Sequence, residues 1–559
     1  MQPDSILFWN AVALEANRVS HSDPDKREQN GPTLSSRALA IVHLAMYDAY
    51  AGIVGGAGFP PYLNPPLAPM GASARDAVAG AAHSTLTALF RAQKDYFDAQ
   101  LGAFNSADPS FGYGQKVGAA HLKLREDDMD ARDCGYTFST ARGRHRVDPD
   151  NPGQGFHGPY YGAQNTGFAI STRHTLAKPF FANGTDAKYL QALRDVRARG
   201  IRPDLMGTLP DTLFDNRRTA LETLIGIFWG YDGANRLGTP PRLYNQIVRK
   251  VAVQKGNNEG QNARLFAFVN AAMGDAGILA WEQKFCHDFW RPVLGVREHD
   301  EKLGPAAPYP VAVNFSDGDP GWLPLGAPST NSTGMKNFTP NFPAYPSGHA
   351  TFGAAALHIT RMFYGIAALD KNPDKLFPGT LFSDEFNGGS RDNEGTVRPR
   401  HARSFPGGLW EMIIENATSR VLLGVHWIFD AFDFAEDEQG NLVPELTNEN
   451  IGGVGLGLRI ARDIFKFGNG LAPKMTPAAG ALPPITTPAL NSPMPSVPRQ
   501  PSSVKGCAGP FPIPTAASAA AAVQAEGTAQ DAYPPQGEEQ EPPASGQVQS
   551  AYPSGLSER

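Results

Sequence analysis

The chain is 559 residues long, 41% hydrophobic and 19% charged, with a formal net charge of −6. These values suit a globular protein with a large core and exclude the basic field that draws nucleic acid, so any anion site must be local. Three cysteines, Cys134, Cys286 and Cys507, are too few for a disulfide scaffold, and no pair has zinc-ligand spacing, although a Cys134–Cys286 bridge is open.

Residues 1–9 carry no basic stretch followed by an apolar one, so no secretory signal is visible. No unbroken apolar run approaches the ~20 residues that span a bilayer, and no membrane insertion is expected. Helical periodicity dominates the chain as far as residue 468. Residues 34–53 put Ala38, Ile41, Ala45 and Ala49 on one stripe, with Ser35 and Ser36 as caps. Residues 74–92 and 113–126 are alanine-rich helix candidates, and 187–198, 211–229, 241–254, 258–287, 348–364, 408–428 and 450–467 have the same pattern. Strand-like alternation is rare and short. The expected fold class is all-α, as two packed helical bundles: an N-terminal half over 1–225 and a C-terminal half over 226–468. Long Gly/Pro/Asn loops at 139–185, 300–345 and 366–405 are expected to wall a pocket. Residues 469–559 hold about a third of the 49 prolines and few large apolar side chains, the composition of a disordered tail. Sequons at Asn183, Asn314, Asn331, Asn337 and Asn416 are taken as chance matches, with Asn416 in a segment expected to be buried.

Three segments carry chemistry. Lys284-Phe-Cys-His-Asp-Phe-Trp-Arg291-Pro292 sets two cations about two helical turns apart, with the helix expected to end at Arg291 because Pro292 disfavours helical geometry before it. Pro346-Ser347-Gly348-His349 precedes an alanine-rich helix. Ser347 suits the N-cap, Gly348 allows close backbone approach, and the helix start offers N–H groups to an anion. Ser419 and Arg420 are placed on one helix with His426, six residues on, and Asp430 shares the face of His426, where it can orient the imidazole. Each segment alone is more often a solvated face, a capping turn or a core helix. Together they supply three cations, two histidines, a hydroxyl and a glycine turn, an inventory for one tetrahedral oxyanion.

The order Lys-x6-Arg-Pro, Pro-Ser-Gly-His, Ser-Arg-x5-His-x3-Asp resembles the signature shared by type 2 phosphatidic acid phosphatases, bacterial acid phosphatases and vanadium haloperoxidases, without a substitution. Ile6-Leu-Phe-Trp-Asn, Asn17-Arg-Val-Ser-His, Tyr231-Asp-Gly-Ala-Asn, Gly238-Thr-Pro-Pro-Arg and Phe342-Pro-Ala-Tyr-Pro-Ser-Gly-His-Ala-Thr-Phe extend the likeness to the fungal vanadium chloroperoxidases over roughly residues 6–468. Between about 60 and 180 this chain is shorter than that pattern.

The resemblance implies one vanadate per chain, hydrogen peroxide and halide as substrates and hypohalous acid as product; no nucleic-acid or protein partner is expected. It implies His426 as the metal ligand. Lys284, Arg291, Arg420, Ser347 and the Gly348 N–H would hold the oxygens, His349 would act as acid/base, and Lys284 would also polarise peroxide. Asp232 is the expected partner of Arg420. Three nearby cations are expected to lower the pKa of His349. Phe342 and Trp281 would form a dry halide pocket, and Phe at position 342 implies chloride, with bromide and iodide also oxidised. A phosphomonoester hydrolase with a phospho-histidine intermediate is the alternative on the same motifs. The chemistry implies a secreted protein, although a cytoplasmic one is equally consistent with the missing signal.

Overall fold

The computed structural model describes residues 4–133, 136–300, 317–377 and 379–468, which fall within one compact unit. Helices hold about 52% of the described residues, and the strands among them form only two hairpins, Thr380–Phe382 with Ala402–Ser404 and Phe434–Glu436 with Leu442–Pro444. The disorder expected of the tail and the Cys134 side of a disulfide lie outside the described residues.

Most helices stand where the periodicity puts them. In chain order they include α1 (Ser5–Ser20), α2 (Gly31–Val54), α3 (Ala74–Leu89), α4 (Pro109–Leu124), α5 (Ala187–Arg199), α6 (Ala220–Phe228), α7 (Pro240–Gln254), α8 (Glu259–His287), α9 (Pro292–Arg297), α10 (Gly348–Phe363), α11 (Gly408–Leu422), α12 (Ile428–Ala431) and α13 (Gly452–Gly468). Four details differ from the pattern in the sequence. The α1 helix has no counterpart there. Ser35 and Ser36 lie inside α2, which starts behind Asn30 with a proline in its first turn. The helix expected over 211–229 is broken, and a capping box between Thr219 and Glu222 starts α6 afresh. The helix expected over 408–428 stops at Leu422.

The α8 helix is apolar on all sides and therefore buried on all sides. It packs against α2 on one side and α10 on the other, so it joins the segments before and after residue 225 in one body. The α10 helix packs in turn on α11 and α13. Two helices, Gly31–Val54 and Glu259–His287, are long and apolar enough to cross a bilayer, but 78% and 94% of their apolar windows are buried inside the fold. They are core helices.

The few polar residues of α8 anchor the loop over 139–185. Asp275 accepts the Phe168, Ala169 and Ile170 amides at 2.5, 2.8 and 2.9 Å, and Glu282 pairs with Arg173 at 2.8 Å. Those bonds satisfy groups that would otherwise be costly to bury. They also lay the loop along the C-terminal half of α8, which carries Trp281 and Lys284.

Between α11 and α12 the chain turns at Gly424, whose φ is +71° and whose Cβ, if present, would lie 2.5 Å from the Gly200 carbonyl oxygen. The substitution Gly424→Ala forces a left-handed alanine, costing ~1–2 kcal/mol before the clash is counted. It is expected to lower the thermal midpoint; an unchanged calorimetric midpoint would show that the turn has no such constraint.

Candidate active site

The three sequence segments converge in one buried pocket. Lys284, Arg291, Arg420, His426 and His349 are 0, 1, 1, 3 and 8% exposed, so their charges interact with little solvent screening. They reach the pocket from chain ends and turns more than from helix faces. Lys284 lies in the last turn of α8, which closes at His287 with Asp288 left-handed (φ 50°). Arg291 therefore stands beyond that helix, as the residue before α9, with the extended geometry (φ −80°, ψ 158°) that Pro292 imposes. His426 lies in the turn after α11, not on one helix with Ser419 and Arg420.

Each cation is held differently. The Lys284 ammonium donates to the carbonyls of Pro343, Ala344 and Pro346 at 2.9, 3.0 and 2.5 Å, which uses all three of its protons. Its charge is 5.0 Å from the Phe342 ring centre and 5.7 Å from that of Trp281. Arg291 donates from Nε to the Phe342 carbonyl at 2.9 Å and from Nη1 to the Val425 carbonyl at 2.8 Å and to His426 Nε2 at 2.9 Å. Its Nη2 is buried without a partner. Arg420 forks onto Asp232 at 2.7 and 3.0 Å, the pairing expected from the sequence, and its Nε is likewise unpartnered.

The two histidines are fixed in opposite tautomers, as inferred from their partners. His426 Nδ1 lies 2.7 Å from Asp430 Oδ2, whose other neighbour is the Trp427 N–H at 3.0 Å. With Nδ1 donating to the carboxylate, the Nε2 lone pair faces the pocket, where it accepts from Arg291. His349 Nε2 lies 2.7 Å from the Gly230 carbonyl oxygen, which can only accept, so Nε2 carries the proton and Nδ1 holds the lone pair. The His349 backbone is itself pinned, because Tyr244 Oη and Asn416 Nδ2 donate to its carbonyl at 3.1 and 2.9 Å. Asn416 is fully buried there, as expected.

Burial works against the charged forms of His349, His426, Lys284, Arg291 and Asp430. Burial, then Arg420, lowers His349 to about 4, so desolvation acts before the cations that the sequence brings to mind first. Burial, then Arg291, pushes Lys284 well below its ordinary value, and burial lowers Arg291 to about 9. Burial raises Asp430 to about 7 against the pull of Lys284. The pocket thus sets three cations against the carboxylates of Asp232 and Asp430, an excess of positive charge that an anion relieves.

The helix start completes the anion cradle. Ser347 caps α10, accepting the Ala350 N–H at 3.3 Å, and its hydroxyl proton stays available. The first turn leaves the N–H groups of Gly348 and His349 without intrahelical acceptors. A Cβ on Gly348 would sit 3.3 Å from the Trp281 ring and 3.9 Å from Lys284 Cε, which would narrow the cradle. Trp281 and Phe342 pack together with ring centres 4.8 Å apart, and Phe342 is half-buried. Sequence reasoning missed Gly230, the carbonyls that hold Lys284, and His157, whose ring centre lies 6.2 Å from Phe342 and 6.1 Å from Trp281. Among the described residues no three His, Cys, Asp or Glu side chains form a metal cluster. A metal here would need an oxyanion's own oxygens to complete its coordination. The unpartnered Arg291 Nη2 and Arg420 Nε, the helix-start N–H groups and the His426 Nε2 lone pair fit such a group.

Two family models match the chain, the VCPO second helical-bundle domain over residues 264–444 and the vanadium chloroperoxidase N-terminal domain over residues 2–100. The vanadium chloroperoxidase of Curvularia inaequalis is 35% identical over 575 residues, covering 84% of this chain and 90% of that protein. A bacterial vanadium-dependent iodoperoxidase superposes with a TM-score of 0.53 at 16% identity, covering 83% of this chain and 97% of the other. A holo-type bacterial vanadium-dependent chloroperoxidase gives 0.54 at 17%, covering 81% and 95%. At those identities the structural likeness carries the fold.

The charge balance has a measurable consequence. The substitution Asp232→Asn leaves Arg420 buried without a countercharge, at a cost of about 3–5 kcal/mol. The thermal midpoint is expected to fall in anion-free buffer and to recover in part with inorganic phosphate, by linkage. A fall that phosphate does not reverse would mean the pocket takes up no anion.

Proposed function

The chain belongs to the vanadium chloroperoxidase family of vanadium-dependent haloperoxidases, and on that premise we propose that it uses bound vanadate and hydrogen peroxide to oxidise halide to hypohalous acid, with chloride as its halide and bromide and iodide also accepted. The observation that carries this reading is the pairing of unpartnered buried arginine donors with a histidine whose Nε2 lone pair is aimed into the same pocket.

In this reading His426 Nε2, kept free of a proton by the Asp430 bond to Nδ1, would ligate the vanadium, and Arg291, Arg420, Ser347 and the Gly348 N–H would hold its oxygens. When bound, vanadate supplies a Lewis acid that activates peroxide toward halide without changing its own oxidation state. Asp430 holds His426 in the ligating tautomer, as carboxylates behind metal-bound histidines do. Asp232 neutralises Arg420, so that the arginine's remaining N–H groups serve the oxyanion without adding a full uncompensated charge. His349, neutral above about 4 in the anion-free pocket, accepts a proton from peroxide at Nδ1 while Nε2–H stays on Gly230. Lys284 contributes charge from behind its carbonyl collar, and donates directly only if it exchanges one carbonyl for the ligand. Trp281 and Phe342 exclude water from the halide side, which strengthens every electrostatic interaction inside.

An extracellular location suits a diffusible oxidant, and we extend the proposal to secretion. Halogenating activity in the culture medium of the source organism supports it, and activity confined to cells overturns it.

The whole reading is tested by preparing metal-free protein, adding orthovanadate, and following bromination or chlorination of a phenol dye with peroxide. Turnover is expected only with orthovanadate. Phosphate-ester hydrolysis that orthovanadate inhibits, with no halide turnover, would favour the hydrolase alternative. The variant His426→Ala is expected to lose orthovanadate binding; full retention would remove it as the ligand. The variant Phe342→His is expected to lose chloride turnover by more than bromide turnover. An unchanged ratio would mean that this ring does not select the halide.

A further inference from the structure

The turn over residues 229–232 delivers two groups to the pocket at once. The Gly230 carbonyl takes the His349 proton at 2.7 Å, and Asp232 forks onto Arg420 at 2.7 and 3.0 Å. Tyr231 between them is left-handed, with φ at 57°. A non-glycine residue in that region is strained and persists only where its surroundings enforce it.

The enforcing contacts come from the loop over 366–405. Ser383 Oγ donates to the Phe228 carbonyl at 2.6 Å, and the Asp384 N–H donates to Tyr231 Oη at 2.8 Å. Next in the chain stands Glu385, a fully buried carboxylate that the halide chemistry does not use. Its Oε2 accepts from Arg398 Nη1 and from Thr330 Oγ1, both at 2.6 Å, and Arg398 also donates to Thr330 Oγ1 at 2.8 Å. Its Oε1 lies against the turn itself. A Cβ built on Gly230 would be 2.6 Å from it, so a side chain at residue 230 would displace either this carboxylate oxygen or the turn. Burial pushes Glu385 up to about 7, and Arg398 and then Thr330 pull the other way, while Oε1 touches the turn without a hydrogen bond of its own. The ion pair is thus closed off from solvent and aimed at the backbone that carries Gly230 and Asp232.

We propose that Glu385, braced by Arg398 and Thr330, is a positioning residue of the active site, fixing the 230–232 turn and through it both the proton placement on His349 and the orientation of Arg420. The inference rests on the haloperoxidase reading of this pocket. It assigns to the 366–405 loop a part in the chemistry of a site it never enters. A buried pair of this kind is not needed for stability as such, since apolar side chains of equal volume often do as well. What it adds is a defined location for the peptide it touches.

The test uses the full chain and orthovanadate. Thr330→Val removes the hydroxyl that braces Glu385 while keeping volume, and Thr330→Ser restores it. Glu385→Gln removes the charge with little change of shape. Orthovanadate Kd is read by titration calorimetry, and kcat and KM for peroxide and bromide by steady-state assay. Glu385→Gln and Thr330→Val are expected to weaken orthovanadate binding by about 10-fold or more, the range seen when a residue behind a ligand is lost. They are expected to lower kcat/KM for peroxide while leaving the KM for bromide in place, and Thr330→Ser is expected to match the parent protein. Variants that melt earlier but keep the parent Kd and peroxide kinetics would overturn the proposal, because the pair would then be a brace and nothing more. Equal loss in Thr330→Ser and Thr330→Val would overturn it too. If the parent protein itself neither binds orthovanadate nor oxidises bromide, the haloperoxidase reading falls first and takes this inference with it.

Discussion

Three fixed cations in one dry pocket are the constraint on which the rest of this structure depends. Lys284, Arg291 and Arg420 are each nearly inaccessible to solvent, and burial weakens the hold of Lys284 and Arg291 on their protons. Removing such groups from water is expensive, and like charges brought together add to the cost. The fold meets this in three ways: a collar of carbonyls for the lysine, a forked carboxylate for Arg420, and an aromatic face for Lys284 and Arg291. None of them fully neutralises the pocket. The remaining positive charge is a standing demand for an anion, and the unpartnered guanidinium nitrogens show which sides are left for it.

The two histidines illustrate how one side-chain type is given two chemistries. A carboxylate behind His426 and a carbonyl behind His349 both take an imidazole proton, but from opposite ring nitrogens. The outcome is a lone pair on Nε2 in one ring and on Nδ1 in the other. The partner, more than the position of the histidine, determines what each ring offers the pocket.

Backbone irregularity does the positioning. The left-handed Asp288 releases the chain from α8 so that Arg291 can turn back, Gly424 allows the sharp exit from α11 that swings His426 inward, and left-handed Tyr231 presents a carbonyl and a carboxylate on either side of itself. Regular helices supply the rigid frame, and the functional groups sit where that regularity stops. The long loops are tied to this frame from outside: Asp275 and Glu282 fasten one to α8, and Ser383 and Asp384 of another hold the segment around Tyr231.

By itself the amino-acid sequence made the all-α class and most of the helix spans legible, and the resemblance of its three segments picked out the residues that meet in the pocket. The physical reason is that these are local or patterned: periodicity marks a helix face, Ser347 marks a helix start, and Asp430 four residues from His426 marks a neighbour within a turn of chain. Asp232 was also legible, but only from the resemblance of its segment, since Arg420 lies 188 residues away. Tertiary structure alone decided where α11 stops, because the apolar pattern runs on past Leu422 while the turn geometry does not. It alone brought Gly230 to His349 and Glu385 to Gly230, across separations of 119 and 155 residues, contacts that leave no periodic trace in the chain. It also decided that burial, ahead of the neighbouring cations, keeps His349 neutral, because desolvation depends on everything packed around a group and not on the residues beside it in sequence.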